Sequence, residues 1–258
     1  MDATLKQTPL CSVVARKRAR HAQAGLGMIE LLVVMLISLL MLMGLFSIVY
    51  GSRTNYLAQN QLGQLQDSER LAMSVITNVV QAGGYFPNPA SSTPVAALPG
   101  GNSAGVAWTG GQAISGVAGD QIYVRYAAGT ADGVMDCNGR TNTTGATVTD
   151  INTFYVNGNQ QLVCQVYANG VAGAIQPLVN GVTAMTVLYG VDTNADGLAS
   201  ADQYMTAAQV TAATAWLAVV SVKVTLTFAS PLAGATAPGA GAVTQPTLTR
   251  TIDLLNKS

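Results

Sequence analysis

From Leu31 to Tyr50 the chain runs for twenty residues without a charged side chain. As a helix rising ~1.5 Å per residue this run is ~30 Å long, the thickness of a bilayer's hydrocarbon core. Beyond it the apolar positions space out. Ala58, Leu62, Leu65, Ala72, Ile76 and Val79 recur at intervals of three, four or seven, with Glu69 interrupting the stripe. Gln59, Asn60, Gln66, Asp67 and Arg70 take the other faces. The spacing predicts one helix of some fifty residues, apolar all round in its first half and amphipathic in its second. Gly44 and Gly51 are candidate bends, and Gly83-Gly84 followed by Pro87 and Pro89 predicts its end.

Residues 87–119 are rich in Gly, Ala, Ser and Pro and read as a loop. The period then changes. "DQIYVRYAA" (120–128), "NTFYVNGNQQLVCQVY" (152–167), "AVVSVKVTLTFA" (218–229) and "TLTRTIDLL" (247–255) are β-branched, aromatic and partly alternating. Asn157-Gly158, between two such runs, predicts a hairpin whose loop can exceed two residues. The pattern as a whole predicts α+β: a long N-terminal helix, spanning a membrane in its first half, packed on a C-terminal antiparallel sheet domain.

Charge divides the chain further. Lys6, Arg16, Lys17, Arg18 and Arg20 against Asp2 give the residues before Leu26 a charge of +4, and those from Leu26 onward carry −4. Positive residues upstream of the span place the N-terminus in the cytoplasm and the body outside it. The body has no Lys/Arg cluster, so no nucleic-acid partner is expected. The single histidine, His21, lies in the basic head. Histidine-dependent nucleophiles and most zinc sites are thereby excluded from the body, and no enzymatic role is expected.

Glu30 stands at the head of the apolar run, where an unpaired carboxylate in hydrocarbon costs several kcal/mol. The stretch Gly25-Leu26-Gly27-Met28-Ile29-Glu30-Leu31-Leu32 resembles the cleavage and methylation motif of type IV pilins and type II secretion pseudopilins. The resemblance implies that a prepilin peptidase cuts after Gly25, that Leu26 becomes the N-methylated first residue, and that Glu30 is the fifth. Cleavage would create an α-amine that Glu30 of the same or a neighbouring subunit neutralises. Leucine in the first place and glycine in the second depart from the commoner phenylalanine and threonine. Further landmarks, "AGGYF", "MDCNGR", "TFYVNGNQQLVC", "PLVNGVTAMTVLYGVDTNADGLASADQY" and "WLAVVSVKVTL", are similar to those of PilW-type minor pilins, in that family's order. The Gly, Ala and Pro-rich stretch from Pro231 to Pro246 departs from the pattern and leaves the last strand's register open.

The resemblance implies a pilin-like fold: leader 1–25, transmembrane and filament-core helix 26–53, amphipathic helix 54–82 and β-rich domain 83–258. It implies a minor pilin, anchored in the inner membrane with its domain in the periplasm and later built into the pilus near its tip. The implied partners are other minor pilins, the major pilin, a tip adhesin, the prepilin peptidase and the inner-membrane assembly platform. A type II secretion pseudopilin shares the N-terminal motif and is the nearest alternative; a simple signal-anchored periplasmic domain is another.

Cys137 and Cys164 are the cysteines that remain once Cys11 leaves with the leader. In an exported body the even pair reads as a disulfide, with two buried free thiols as the alternative. "DTNADG" (192–197) sets oxygens at Asp192, Asn194 and Asp196 before a glycine, as a calcium loop does, but its twelfth position is Gln203 and Asp202 comes one place early. A metal-free turn is the alternative to Ca2+ there, and a calcium-dependent surface-binding module on a pilin anchor is the function that the loop would support. Trp216 reads as core or subunit contact, Tyr85 and Phe86 as staples of the following loop.

Overall fold

The computed structural model describes residues 27–117, 120–194, 199–230 and 245–256. The chain divides between Asn55 and Tyr56 into two compact units. Helix α1, Met28–Ala82, is 55 residues long and crosses that boundary without a break at Gly44 or Gly51.

In the first unit α1 leaves its large apolar side chains open, from Met28 at 87% exposure to Tyr50 at 64%. It is long and apolar enough to cross a membrane, with none of its most apolar window buried. In the second unit the helix buries Ala72, Met73, Ile76, Val79 and Val80. The apolar stripe starts earlier than its cover: Leu62 is 41% exposed, Leu65 half-buried, and close packing begins at Ala72. The helix stops where Gly84 turns to φ 79° and donates its N–H to the Arg125 carbonyl at 2.9 Å. A side chain at Gly84 would also crowd Ala113, so glycine serves both the turn and the packing.

Residues 87–119 are more than a loop. They hold α2 (Pro94–Ala97), β1 (Gly101–Ser103), β2 (Val106–Trp108) and β3 (Ile114–Val117). These elements are three or four residues long and separated by glycines, too short for a period to emerge. Their order comes from burial of Leu98, Val106, Trp108, Ala113 and Ile114.

The first large sheet pairs β3 with β4 (Gln121–Ala128), β4 with β5 (Val148–Val156) and β5 with β6 (Gln161–Ala168), all antiparallel. The far edge of β6 carries the short strands β7 (Val171–Ala172) and β8 (Gln176–Asn180). The β5–β6 hairpin turns through Asn157–Gln160. The Asn157 carboxamide oxygen accepts the Asn159 and Gln161 N–H groups, and Gln160 takes φ 56°. Asn-Gly did mark the turn, through a four-residue loop in which the asparagine side chain supplies the closure.

The second sheet has the order β10-β9-β11-β12, from β9 (Val182–Val191), β10 (Gln203–Met205), β11 (Val219–Phe228) and β12 (Thr247–Asp253). The last strand's register runs from Ser221 opposite Asp253 to Thr227 opposite Thr247. Between β10 and β11, helix α3 (Ala207–Ala212) starts at a capping box of Thr206 and Gln209. One core cluster joins the helix residues to Val124, Tyr126, Phe154 and Leu162 of the first sheet and Val187, Tyr189, Val222 and Leu226 of the second. Trp216 packs edge-on against Tyr189 at 4.9 Å and donates its indole N–H to Thr211. Tyr85 packs against the same core and its carbonyl accepts the Ala127 N–H. The fold is α+β and pilin-like: a long apolar N-terminal helix and antiparallel sheets after it.

Candidate functional site

Gly25 and Leu26 lie outside the described residues. Glu30 lies in the first turn of α1, and the Glu30 and Leu31 amides donate to the Gly27 carbonyl at 2.9 and 3.2 Å. Free amides at a helix N-terminus carry partial positive charge, so a carboxylate is well placed there. Among the described residues Glu30 forms no ion pair. Downstream, no atom lies within 4 Å of where a Cβ would be at Gly44 or Gly51, so both glycines leave open backbone on the exposed helix surface.

Cys137 and Cys164 form a disulfide with their Cα atoms 6.4 Å apart, closing a separation of 27 residues. The "MDCNGR" segment presents Cys137 through a tight turn. The Asp136 carboxylate accepts the amides of Asn138 and Arg140, both at 2.8 Å, and pairs with the Arg140 guanidinium at 3.0 Å. The Cys137 amide donates to the Asn152 side-chain oxygen at 2.8 Å, tying the turn to β5. A polar pocket beside it is lined by Asp136, Arg140, Thr141, Asn142 and Asp150 among others. Burial, then the Asp136 charge, push Asp150 up to about 6, with Arg140 opposing them. Asp150 is therefore largely ionised at neutral pH and protonated in mild acid.

Asp192 and Asn194 follow β9, and Asp196 lies outside the described residues. The structure shows what closes this loop. The Asp202 carboxylate accepts the Thr193 N–H at 2.8 Å, the Thr193 hydroxyl at 3.2 Å, the Asn194 N–H at 3.2 Å and the Asn194 carboxamide N–H at 3.0 Å. Four donors occupy the oxygens of the acid that stands one place before the calcium loop's usual glutamate. Among the described residues no group of three or more His, Cys, Asp or Glu is placed to hold a metal.

Sequence reasoning missed Arg125. Its side chain is 3% exposed and, among the described residues, meets no carboxylate. Instead the guanidinium donates to the carbonyls of Gln112 (3.0 and 2.7 Å), Pro99 (2.8 Å), Thr109 (3.0 Å) and Leu98 (3.3 Å), and lies 4.5 Å from the centre of the Trp108 ring. Burial lowers its pKa to about 10, so it stays cationic at neutral pH. The signal was one arginine inside the otherwise neutral strand "QIYVRYAA". This clamp holds α2, β1 and β2 against the sheet.

Residues 148–254 match the family model for type IV pilus-assembly protein W. The match spans β5 to β12 and includes Cys164 and the Asp192–Asp202 loop, whereas α1, Arg125 and Cys137 precede it. No curated protein and no solved structure matches the chain.

Proposed function

From the premise that this chain is PilW-like, of the type IV pilus assembly family, we propose that it is a minor pilin. In this reading residues 1–25 are a cytoplasmic leader, 26–53 the membrane and filament helix, 54–82 its amphipathic continuation and 83–258 the domain that meets partners. Prepilin peptidase cuts after Gly25, and the new α-amine of Leu26 falls four positions before Glu30 in the sequence. Amine and carboxylate neutralise each other within one subunit or across two, so the helix can leave lipid for a filament core without carrying an unpaired charge.

The single observation behind the proposal is the combination of a PilW-like β domain with a helix whose first half is exposed, uncharged from Leu31 to Tyr50, and headed by a carboxylate in its first turn. One long apolar N-terminal helix fits a single-pass anchor in a pilus system. The subunit would join other minor pilins at the inner-membrane assembly platform, prime addition of the major pilin and support a tip adhesin. The domain would face the periplasm before assembly and the exterior after it. The family match favours a pilus over a type II secretion pseudopilin.

The test is N-terminal mass analysis of the native chain with cross-linking to the minor pilins. A chain beginning at N-methylated Leu26 and cross-linked to them is expected. Retention of residues 1–25 in cells with working prepilin peptidase overturns the proposal. Ca2+ on Asp192, Asn194 and Asp196 is a separate proposal, supported by three oxygen ligands at the spacing of a calcium loop. Calorimetric titration of the full chain that yields no calcium heat removes it.

A further inference from the structure

The second sheet ends at β12, which pairs with β11 along one side only. The flanking bonds show which way its backbone groups point. The Phe228 N–H donates to the Pro246 carbonyl and the Leu254 N–H to that of Val220, both at 2.9 Å. Backbone direction alternates along a strand, so Leu248, Arg250 and Ile252 bond to β11. The N–H and C=O groups of Thr247, Thr249, Thr251 and Asp253 point away from the sheet, and no described residue pairs with them. The strand is seven residues long, which makes this open row ~23 Å.

The other sheet edges carry the features that discourage pairing with a foreign strand. Strand β10 has three residues and β3 four, and α3 packs against both. Strand β7 has two residues, while β8 holds Pro177 at an irregular step in its register against β6. In contrast, β12 has neither proline nor bulge, and its three threonines favour the extended form. Its one charge on the core side is Arg250, which is exposed and reaches the Thr77 hydroxyl of α1 at 3.4 Å. Among the described residues no carboxylate pairs with it. A strand laid along this edge would cover that cation, which disfavours a neutral or basic strand and favours one that brings an acid.

We propose that β12 takes an extended segment of another polypeptide as a further strand, with an acidic residue across from Arg250. Each outward residue offers one donor and one acceptor at strand spacing, a pattern that another extended main chain matches throughout. The incoming side chains alternate in the same way. Those beside Leu248 and Ile252 extend the apolar side of the sheet, and those beside Thr247, Thr249 and Thr251 meet hydroxyls and methyls. A second copy of β12 matches less well. It brings another arginine to the edge, and its own acid, Asp253, lies on the opposite face from Arg250. All these groups belong to the Tyr56–Ser258 unit, so the inference rests on neither Glu30 nor the apolar half of α1.

The experiment uses the full chain in detergent and two blocked, fluorescent peptides about seven residues long, the length of the edge. Both alternate threonine and valine; one has glutamate at its centre and the other lysine. Anisotropy measures binding, and hydrogen exchange at the Thr249 and Thr251 amides reports where the peptide lies. The glutamate peptide is expected to bind and to slow exchange at both amides, with the lysine peptide about 3- to 10-fold weaker. Arg250→Glu should invert that preference. Thr251→Pro removes an N–H that β11 does not use, so the fold should persist while binding falls about tenfold or more. Thr251→Val keeps the N–H and should bind as the parent does. The proposal is overturned if neither peptide slows exchange at millimolar concentration, if Thr251→Pro binds as well as the parent, or if Arg250→Glu leaves the preference unchanged. It is equally overturned if the chain alone protects these amides in a concentration-dependent way that Thr251→Pro abolishes, which would make β12 an edge for self-pairing.

Discussion

Arg125→Met isolates the carbonyl clamp, because methionine keeps most of the stem and deletes the guanidinium. The cation serves four carbonyls, on Leu98, Pro99, Thr109 and Gln112, and covers the Trp108 ring. Hydrogen bonds to a charged group are worth roughly 1.5–3 kcal/mol each, so the gross loss is about 6–12 kcal/mol. Returning a buried guanidinium's hydration cost offsets several kcal/mol of that, and the carbonyls left without a donor keep a net destabilisation of about 3–5 kcal/mol.

In a unit of this size each kcal/mol moves Tm by roughly 2–4 °C, so Arg125→Met should melt about 6–20 °C lower. Arg125→Lys should fall between the two, since one ammonium cannot span four carbonyls. Scanning calorimetry of the detergent-solubilised chain gives the midpoint. Amide exchange at Gly111, whose N–H donates to Leu98, reports the clamp locally. A Met variant that melts within about 2 °C of the parent and leaves Gly111 protected would refute the argument that carbonyls alone stabilise this cation.

Replacing both Cys137 and Cys164 by alanine should cost about 3.5 kcal/mol for a 27-residue separation, read as a Tm lowered by about 7–14 °C; an unchanged midpoint would show that the reduced chain is already constrained. Asp150 is raised to about 6, so its contribution to stability is complete below its unfolded pKa near 4 and is lost as pH rises through 6. Asp150→Asn should therefore raise Tm relative to the parent at pH 7.5 and lose that advantage at pH 4, and a pH-independent difference would exclude the linkage. Glu30→Ala should leave membrane insertion intact, measured by carbonate extraction, and impair incorporation into sheared pili; equal incorporation would remove the carboxylate from assembly.

Long elements announced themselves in the sequence because they repeat a period many times. The helix over Met28–Ala82 and the strands β4, β5, β6, β11 and β12 all fall where apolar spacing placed them. The β9 strand lay inside "PLVNGVTAMTVLYG", which was legible only as a family landmark. Elements of three or four residues between Pro94 and Val117 gave no period, since what orders them is burial of a few separate side chains together with Arg125 reaching from β4. That cation serves carbonyls, and backbone carbonyls leave no trace in residue types. Asp202 was legible as an acid near the loop, but its part in closing Thr193 and Asn194 depends on where β10 returns beside β9. The disulfide could be read from compartment and parity; the Asn152 bond that seats Cys137 could not.

The way this domain is stabilised bears on what its surface can do. Among the described residues the one ion pair joins Asp136 to Arg140, whose side chain is 67% exposed, and such a pair contributes little. The deep cation is neutralised by carbonyl dipoles, and the covalent link is a disulfide set into the core. Stability therefore comes from apolar packing, a cross-link and backbone dipoles, none of which needs a charged exterior. The long neutral run between Asp150 and Asp192 follows from that freedom. The proposed role as a filament subunit would gain by it, because desolvating an uncharged face against a neighbour costs less than desolvating ions. The same economy makes Glu30 conspicuous: ahead of an apolar run uncharged from Leu31 to Tyr50, its carboxylate is the group that the proposed processing and assembly would have to neutralise.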